Sequence, residues 1–397
     1  MKKMFFYFLK IFFVLSIIIF MIGIIEWSKK NTTINRLTEN KEIKLQENQV
    51  LNDNSYVIET IAQNLEVPWG MAFTNENRLL VTERPGRVRL IENSVLQKEP
   101  LYVFDEVIAQ GEGGLMGLAI DPAYNENKFV YMSLTYIQDG IRFVKVVRLR
   151  DQGNRLEEKI TIFDGIPAAQ YHVGNRLAFG PDGKLYITTG DALQASEAQN
   201  IDSLAGKILR INANGSIPED NPFPGSPIWS YGHRNPQGLA WNPADGLLYE
   251  SEHGPSGFDG SGGGDEINLI QKGGNYGWPL ASHEETYPGT IDPLITFTPA
   301  KAPASLLFYT GEKLSIFTNH LIFGALVGQA IIDITLDSDD PNLIVSTKEV
   351  NSVQEGRIRT LIQGPNDCIY FSTSNQDGRG NPKPDDDKIM RMCPDIN

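Results

Sequence analysis

The chain is short of cysteine, histidine and positive charge, and each shortage narrows what it can be. Its 35 lysines and arginines stand against 49 acidic residues, a formal charge of −14. That balance argues against nucleic acid or an anionic lipid surface as the main partner, since both demand basic patches, but it suits bound calcium. There is no P-loop and no GxGxxG following a strand, which removes the usual nucleotide-binding readings. Only two cysteines, Cys368 and Cys393, are present. Sustained helical patterning is missing too: 37 glycines and 23 prolines punctuate short apolar runs separated by polar joins. Such a composition favours many turns and short strands, and the expected class is all-β.

The one long apolar run is at the N-terminus. Residues 1–30 open with two lysines and then stay apolar, apart from Lys10, until Glu26. The uncharged stretch Ile11 to Ile25 is 15 residues, extendable through Phe5 to Leu9 if Lys10 snorkels. This is an export segment, a signal anchor or a signal peptide. The lack of an A-x-A cleavage site and of a lipidation cysteine favours the anchor. Residues 31–55 are polar, without apolar periodicity, and read as a tether. The expected location is therefore the outer face of the cell membrane, or secreted, with the folded domain occupying 56–397.

Within that domain one unit recurs, a turn rich in Asn, Asp, Pro and Gly followed by an apolar-aromatic strand. It appears as NENRLLVTE, NENKFVYMS, GPDGKLYITTGD, NPADGLLYESEHG, TNHLIFGAL and GPNDCIYFSTS. Aligning Leu79, Phe129, Leu185, Leu247, Leu321 and Ile369 gives spacings of 50, 56, 62, 74 and 48 residues. Repeats near this period built from strands are propeller blades, so six copies predict a six-bladed β-propeller. The wider spacings after the third and fourth copies mark long insertions there, on the face where a site is expected. Cys368 and Cys393 fall at the two ends of the last predicted hairpin, placed to bridge if directly opposed; two buried thiols are the alternative.

Unusual residue types concentrate in YGHRNPQGLAWNP at 231–243 and ESEHGP at 250–255. Their glycines and prolines put the polar groups on loops at strand ends. His172, 19 residues before Asp191, fits a general base oriented by a carboxylate, or a capped turn. Arg357 and Arg359 alternate, so on a strand both face one side, where with Arg234 they suit a polyanionic ligand. The carbonyls of the Gly254 turn, with Asp265 and Glu266 close in sequence, offer oxygen ligands of the kind calcium takes.

The motifs HVGNRLAFGPDGKLYITTGD, YGHRNPQGLAW, SEHGP, DEINLIQKGGNYGWP, APAS and GRIRTLIQGPN, in this order from about Leu65 to Met392, resemble the soluble pyrroloquinoline quinone (PQQ)-dependent glucose and aldose sugar dehydrogenases. The resemblance implies a six-bladed propeller that oxidises an aldose to its lactone and passes electrons to an external acceptor. By it, His172 would take the sugar hydroxyl proton with Asp191 holding its imidazole, and Arg234 and Asn235 would line the quinone. Arg357 and Arg359 would clamp the cofactor's carboxylates. Gly254 and Pro255 would give backbone carbonyls to one calcium, and Glu266 with the Tyr276 carbonyl would hold a second. Glu112, in GEGGLMG, stands where that family usually has glutamine, and brings a negative charge to the cofactor pocket. Val327 stands where relatives often carry lysine, Asn175 replaces a small residue, and SGFDGSGGG at 256–264 inserts a loop. Glu112 and Val327 keep a second reading open, a propeller without cofactor that serves as an extracellular binding module. A metal-dependent lactonase fits less well, because such sites place several carboxylate or asparagine side chains on the metal.

Overall fold

The computed structural model describes residues 56–350 and 353–395. The export segment and the tether expected at 1–30 and 31–55 lie outside the described residues. Among the described residues, no helix is long and apolar enough to cross a membrane.

Six antiparallel sheets make six blades. The first blade contains β2 (Pro68–Asn75), β3 (Arg78–Glu83), β4 (Arg87–Glu92) and the short β5 (Val95–Leu96) and β6 (Tyr102–Val103). The second is β7 (Leu115–Ile120), β8 (Phe129–Gln138), β9 (Ile141–Asp151) and β10 (Leu156–Pro167). The third is β11 (Leu177–Phe179), β12 (Leu185–Thr189), β13 (Lys207–Ile211) and β14 (Ile228–Tyr231). The fourth is β15 (Pro236–Trp241), β16 (Leu248–Glu252), β17 (Asp265–Ile270) and β18 (Ile295–Phe297). The fifth is β19 (Pro303–Tyr309), β20 (His320–Ala325), β21 (Ile331–Leu336) and β22 (Ile344–Val350). The sixth joins β23 (Ile358–Gln363), β24 (Ile369–Thr373) and β25 (Ile389–Pro394) to the first strand of the domain, β1 (Tyr56–Ala62).

The six copies of the sequence repeat coincide with the second strand of each blade: β3, β8, β12, β16, β20 and β24. The reason is burial on both faces. A second strand has blades above and below it, and β12 and β24 are buried at every residue, so they read as apolar runs without alternation. The core follows the same geometry as six larger apolar clusters, one between each pair of neighbouring blades. Leu80 and Val88 meet Val130 and Met132 between the first two, and Tyr249 and Ile267 meet Leu321 and Phe323 between the fourth and fifth. Met71 and Val81 meet Ile389 across the closure from the first to the sixth.

A polar device tightens these joints. The inner strand's pairing register shifts near its start in the first, second and sixth blades, which frees an N–H. A hydroxyl on the second strand accepts it: Thr82 from Gly70, Ser133 from Gly117 and Ser372 from Thr360. The same hydroxyls donate to the next blade, Thr82 to the Met116 carbonyl, Ser133 to Asn175 and Ser372 to Pro68. Gly117 is required for this approach, because a Cβ there would lie 2.3 Å from the Asn175 carbonyl.

Cys393 is paired with Val57 of β1 and stands beside the register in which Met392 faces Ile369, so it opposes Cys368. The two form a disulfide, with Cα atoms 4.7 Å apart across 25 residues of chain. Closing a loop of that length removes denatured-state entropy equivalent to about 3.5 kcal/mol. Replacing both cysteines by serine should lower the denaturant-unfolding free energy by about that amount, with a slope no smaller than wild type because the denatured chain is freed; an unchanged unfolding free energy would show that the bridge adds nothing to the last blade.

Candidate active site

Two kinds of connection share one end of the propeller, the crossovers into each inner strand and the loops between second and third strands. His172 precedes β11 and Asp191 follows β12, so blade geometry brings together residues 19 apart in sequence. Imidazole Nδ1 lies 2.8 Å from Asp191 Oδ1. The carboxylate accepts on both oxygens, with the Leu193 N–H at 2.9 Å on Oδ1 and Trp278 Nε1 at 2.8 Å on Oδ2. An acceptor whose other partners all donate makes Nδ1 the donor to Asp191 and turns Nε2 away from it. His172 and Asp191 are both buried. Trp278 reaches Asp191 because the 271–294 connection returns along β14, with Tyr231 bridged to Asn275 and the Trp278 N–H donating to the Gly232 carbonyl.

The backbone here is held in a sparsely populated conformation. His172, Ala192 and Leu193 have φ of 56°, 53° and 61°, and such outliers persist only where surrounding contacts fix them. A Cβ on Gly190 would sit 2.0 Å from the His172 carbonyl, so only glycine lets the end of β12 pass beneath that loop. Glu112 anchors the other side, its Oε2 accepting the His172 N–H at 2.9 Å and Asn235 Nδ2 at 3.3 Å.

Beside this relay is a cavity of about 410 Å³, a size suited to a small organic ligand. Arg84, Arg357, Arg359 and Arg379 line it, with Glu112, Asp265, Asp377, Trp69, Gly254, Pro255 and Val327. Arg357 Nε donates to Asp377 Oδ2 at 2.9 Å and Arg359 Nη2 to the same oxygen at 3.3 Å. Burial pushes Arg359 down to about 10 against the attraction of Asp377, so it remains charged at neutral pH. Arg84 is also depressed by burial, and its Nε has no protein partner. Val327 is half exposed at the mouth. The positive charge expected there by resemblance is absent, but Arg84 and Arg379 add two guanidiniums to the cavity lining.

Gly254 is fixed through its N–H to Asp265 Oδ1 at 2.9 Å, while the Pro255 carbonyl accepts from Gly263 at 3.2 Å. Arg234 is buried beside them, its Nη1 on the His253 carbonyl at 3.0 Å. The inserted loop reaches over the site. Asp259 binds Arg234 Nε at 2.7 Å and Phe258 stacks on the His172 ring with centroids 5.7 Å apart.

Behind the cavity is a carboxylate ladder. Glu252 pairs with Glu266 and Glu250 with Asn268 across β16 and β17, all buried. Like charges directly opposed on a sheet repel, and burial is the leading cause that raises all three glutamates above their usual range. His233 Nδ1 lies 3.4 Å from Glu252 Oε2, and the imidazole stacks on Tyr276. Glu250 Oε1, Asn268 Oδ1 and His233 Nδ1 have no protein partner. Ligand atoms of His233, Glu250 and Glu252 lie within 4.8 Å of one another, a group able to hold a cation.

The structure therefore gathers His172, Asp191, Arg234, Asn235, Glu112, Arg357, Arg359, Gly254 and Pro255 on one face. Glu266 and Tyr276 sit behind, in the ladder. Sequence reasoning missed Arg84, Asp377 and Arg379, whose loops meet only through ring closure, and Trp278, which a connection that doubles back along β14 brings to Asp191. Glu250 was within reach: in ESE on a strand, both glutamates face one side.

Fold and site together define a propeller with a buried imidazole–carboxylate pair beside an arginine-lined cavity. The family described as Glucose / Sorbosone dehydrogenase matches residues 65–389. The chain is 32% identical over 345 residues to the aldose sugar dehydrogenase YliI of Escherichia coli, covering 81% of this chain and 91% of that protein. It superposes on the PQQ-bound aldose sugar dehydrogenase of Streptomyces coelicolor with a TM-score of 0.76 at 33% identity, over 86% and 99% of the two chains. An oxidoreductase of glucose dehydrogenase type from Thermus thermophilus gives 0.78 at 39% identity, over 85% and 99%. The chain belongs to the glucose/sorbosone dehydrogenase family of oxidoreductases.

Glu112→Ala should destabilise the protein by about 1–3 kcal/mol, because two donors lose their acceptor, whereas Glu112→Gln should cost less. Denaturant unfolding of the two variants measures the difference; equal costs would mean that the His172 N–H does not depend on this side chain.

Proposed function

We propose that this chain oxidises an aldose at its anomeric carbon to the lactone, with PQQ in the arginine-lined cavity, calcium as the associated metal, and electrons leaving to an external acceptor. The observation that carries the reading is the His172 imidazole, oriented by Asp191 and Trp278, next in chain to Val173 and Gly174, which line a cavity with four guanidiniums. A planar tricarboxylate fits those residues. Arg84 Nε is an unused buried donor, and Arg357 and Arg359 already share one carboxylate, that of Asp377, as they would share the cofactor's. Family membership and the PQQ-bound Streptomyces neighbour support the same choice.

When bound, PQQ would supply the two-electron acceptor for hydride from the sugar carbon. His172 Nε2 takes the proton of the anomeric hydroxyl. Asp191 stabilises the imidazolium that results, and Trp278 and Leu193 keep Asp191 from rotating. Asn235 holds Glu112, and through it the His172 backbone. The carbonyls of Gly254 and Pro255 are the proposed calcium donors at the cavity; Glu266 and the Tyr276 carbonyl, with Glu250 and Glu252, are the proposed donors for a second calcium. Three buried carboxylates, with Glu250 Oε1 and the neighbouring Asn268 Oδ1 unpartnered, suit a hard cation. The Cys368–Cys393 bridge supports work outside the cytoplasm, at the outer membrane face or secreted.

Adding PQQ and calcium to the purified soluble domain should give a bound-cofactor spectrum and aldose-dependent dye reduction. His172→Ala should lower kcat by about 10² to 10⁴ with PQQ affinity preserved; retention of most of the rate would assign the base elsewhere.

Calcium binding should also depend on pH with a definite sign. The glutamates of the ladder are raised, so below those values they hold protons that a cation must displace, and above them they are free. Calcium should therefore raise Tm more at pH 8 than at pH 5, reversibly with a chelator. Equal shifts at the two pH values would place the bound ion away from the ladder.

A further inference from the structure

The 256–264 loop adds chemistry of its own at the site. It leaves Pro255 and is drawn back by the Gly263 N–H on the Pro255 carbonyl and the Gly264 N–H on Phe297, so its tip projects over the face that carries His172. Phe258 lies at 26° to the imidazole and remains 67% exposed. Its ring extends the imidazole wall as an open apolar surface. Beside it, Asp259 is fixed by Arg234 Nε and Nη2, each at 2.7 Å on Oδ2, and by the Ser256 N–H at 3.0 Å on Oδ1. A carboxylate has about four acceptor positions, so one on Oδ1 is left for a hydroxyl. An aromatic face next to a fixed carboxylate acceptor is chemically matched to a sugar ring, whose C–H face is apolar and whose rim donates.

The same contact settles the charge of the site. Arg234 spends Nε on Asp259, Nη1 on the His253 carbonyl, and Nη2 on Ser256 Oγ as well as Asp259. An anionic substituent entering beside His172 meets a guanidinium already paired with Asp259 and a carboxylate oxygen whose one open position accepts but cannot donate, and like charges in a partly desolvated cleft oppose binding.

We propose that Phe258 and Asp259 are the sugar-recognition pair of this chain, and that Asp259 selects neutral aldoses against sugar acids. The inference rests on the sugar-oxidising reading above. The test compares glucose with glucuronate, which shares the oxidisable anomeric carbon, in wild type, Asp259→Asn and Phe258→Ala loaded with PQQ and calcium. PQQ affinity is titrated separately by absorbance.

Wild type should favour glucose by at least about tenfold in kcat/KM, since charge pairs at this range are worth such factors. Asp259→Asn should raise the glucuronate-to-glucose ratio about tenfold. Phe258→Ala should raise KM for glucose several-fold with kcat nearly unchanged, and Phe258→Trp should restore it. PQQ affinity should stay within about twofold throughout. An unmoved ratio in Asp259→Asn, or a loss of PQQ affinity matching the loss of sugar turnover, overturns the inference and leaves the proposed reaction standing. If PQQ-loaded wild type neither binds nor oxidises either sugar, the reaction and this inference fall together.

Discussion

One guanidinium holds the middle of the ring. Arg176 leaves the third blade just before β11 and donates to the Gln237 carbonyl on β15, the Ala304 carbonyl on β19 and the Thr360 hydroxyl on β23. Its plane lies 4.2 Å from the Trp69 ring on β2. Five of the six blades thus meet at one side chain. Burial lowers Arg176 to about 9, which leaves it charged at neutral pH without any carboxylate partner; main-chain dipoles and an aromatic face carry the compensation. Among the bonds that set the mutual spacing of the inner strands, the pairwise hydroxyl links join two blades each while this junction joins five, and the site loops are continuations of those strands. The distance between His172 on one blade and the arginines on another is a consequence of that spacing.

The electrostatics of the face follow from local partners more than from the count of charges. Read alone, Glu112 is a negative charge put where an anionic cofactor would bind. In the fold it is an acceptor for two donors that shape the base and its surroundings, and Arg379 stands 3.9 Å away. Asp377 likewise holds the two clamp arginines together and oriented, both on its Oδ2. Acidic residues on this face therefore work as fixtures for cationic and N–H groups, which is why four arginines can be kept close together without unfolding the rim.

The fold was readable because each second strand is buried on both sides, so its apolar run survives loop variation, and six such runs at a blade-like period leave little choice of architecture. The two clamp arginines were readable because alternation implies a shared face, whereas the spacing of His172 and Asp191 fitted a capped turn as well as a general base and only the family motifs around them pointed to the base. Residues brought in by ring geometry or by a folded-back connection left no such trace: Arg84 comes from the first blade and Asp377 and Arg379 from the last loop, while Trp278 lies on a connection that doubles back along β14. The ladder stood between these cases. Alternation in ESE was enough to put Glu250 on the same side as Glu252, a signal left unused, while their meeting with Glu266 depended on the register of β16 against β17.

Chain order has a consequence for biogenesis. The sixth blade takes its outer strand from residues 56–62 and the rest from the end of the domain, so the earliest strand waits unpaired until the latest has been made. Its neighbours on the ring are equally provisional, since the first blade lacks one flank until β25 arrives. A nascent chain halted anywhere before Ile389 exposes both a lone edge strand and an open side of the ring, two surfaces a quality-control protease can recognise. Cys393 lies on β25 and bonds back to Cys368 beside β24, so the bridge staples the hairpin onto which β1 must dock, one strand short of the seam itself.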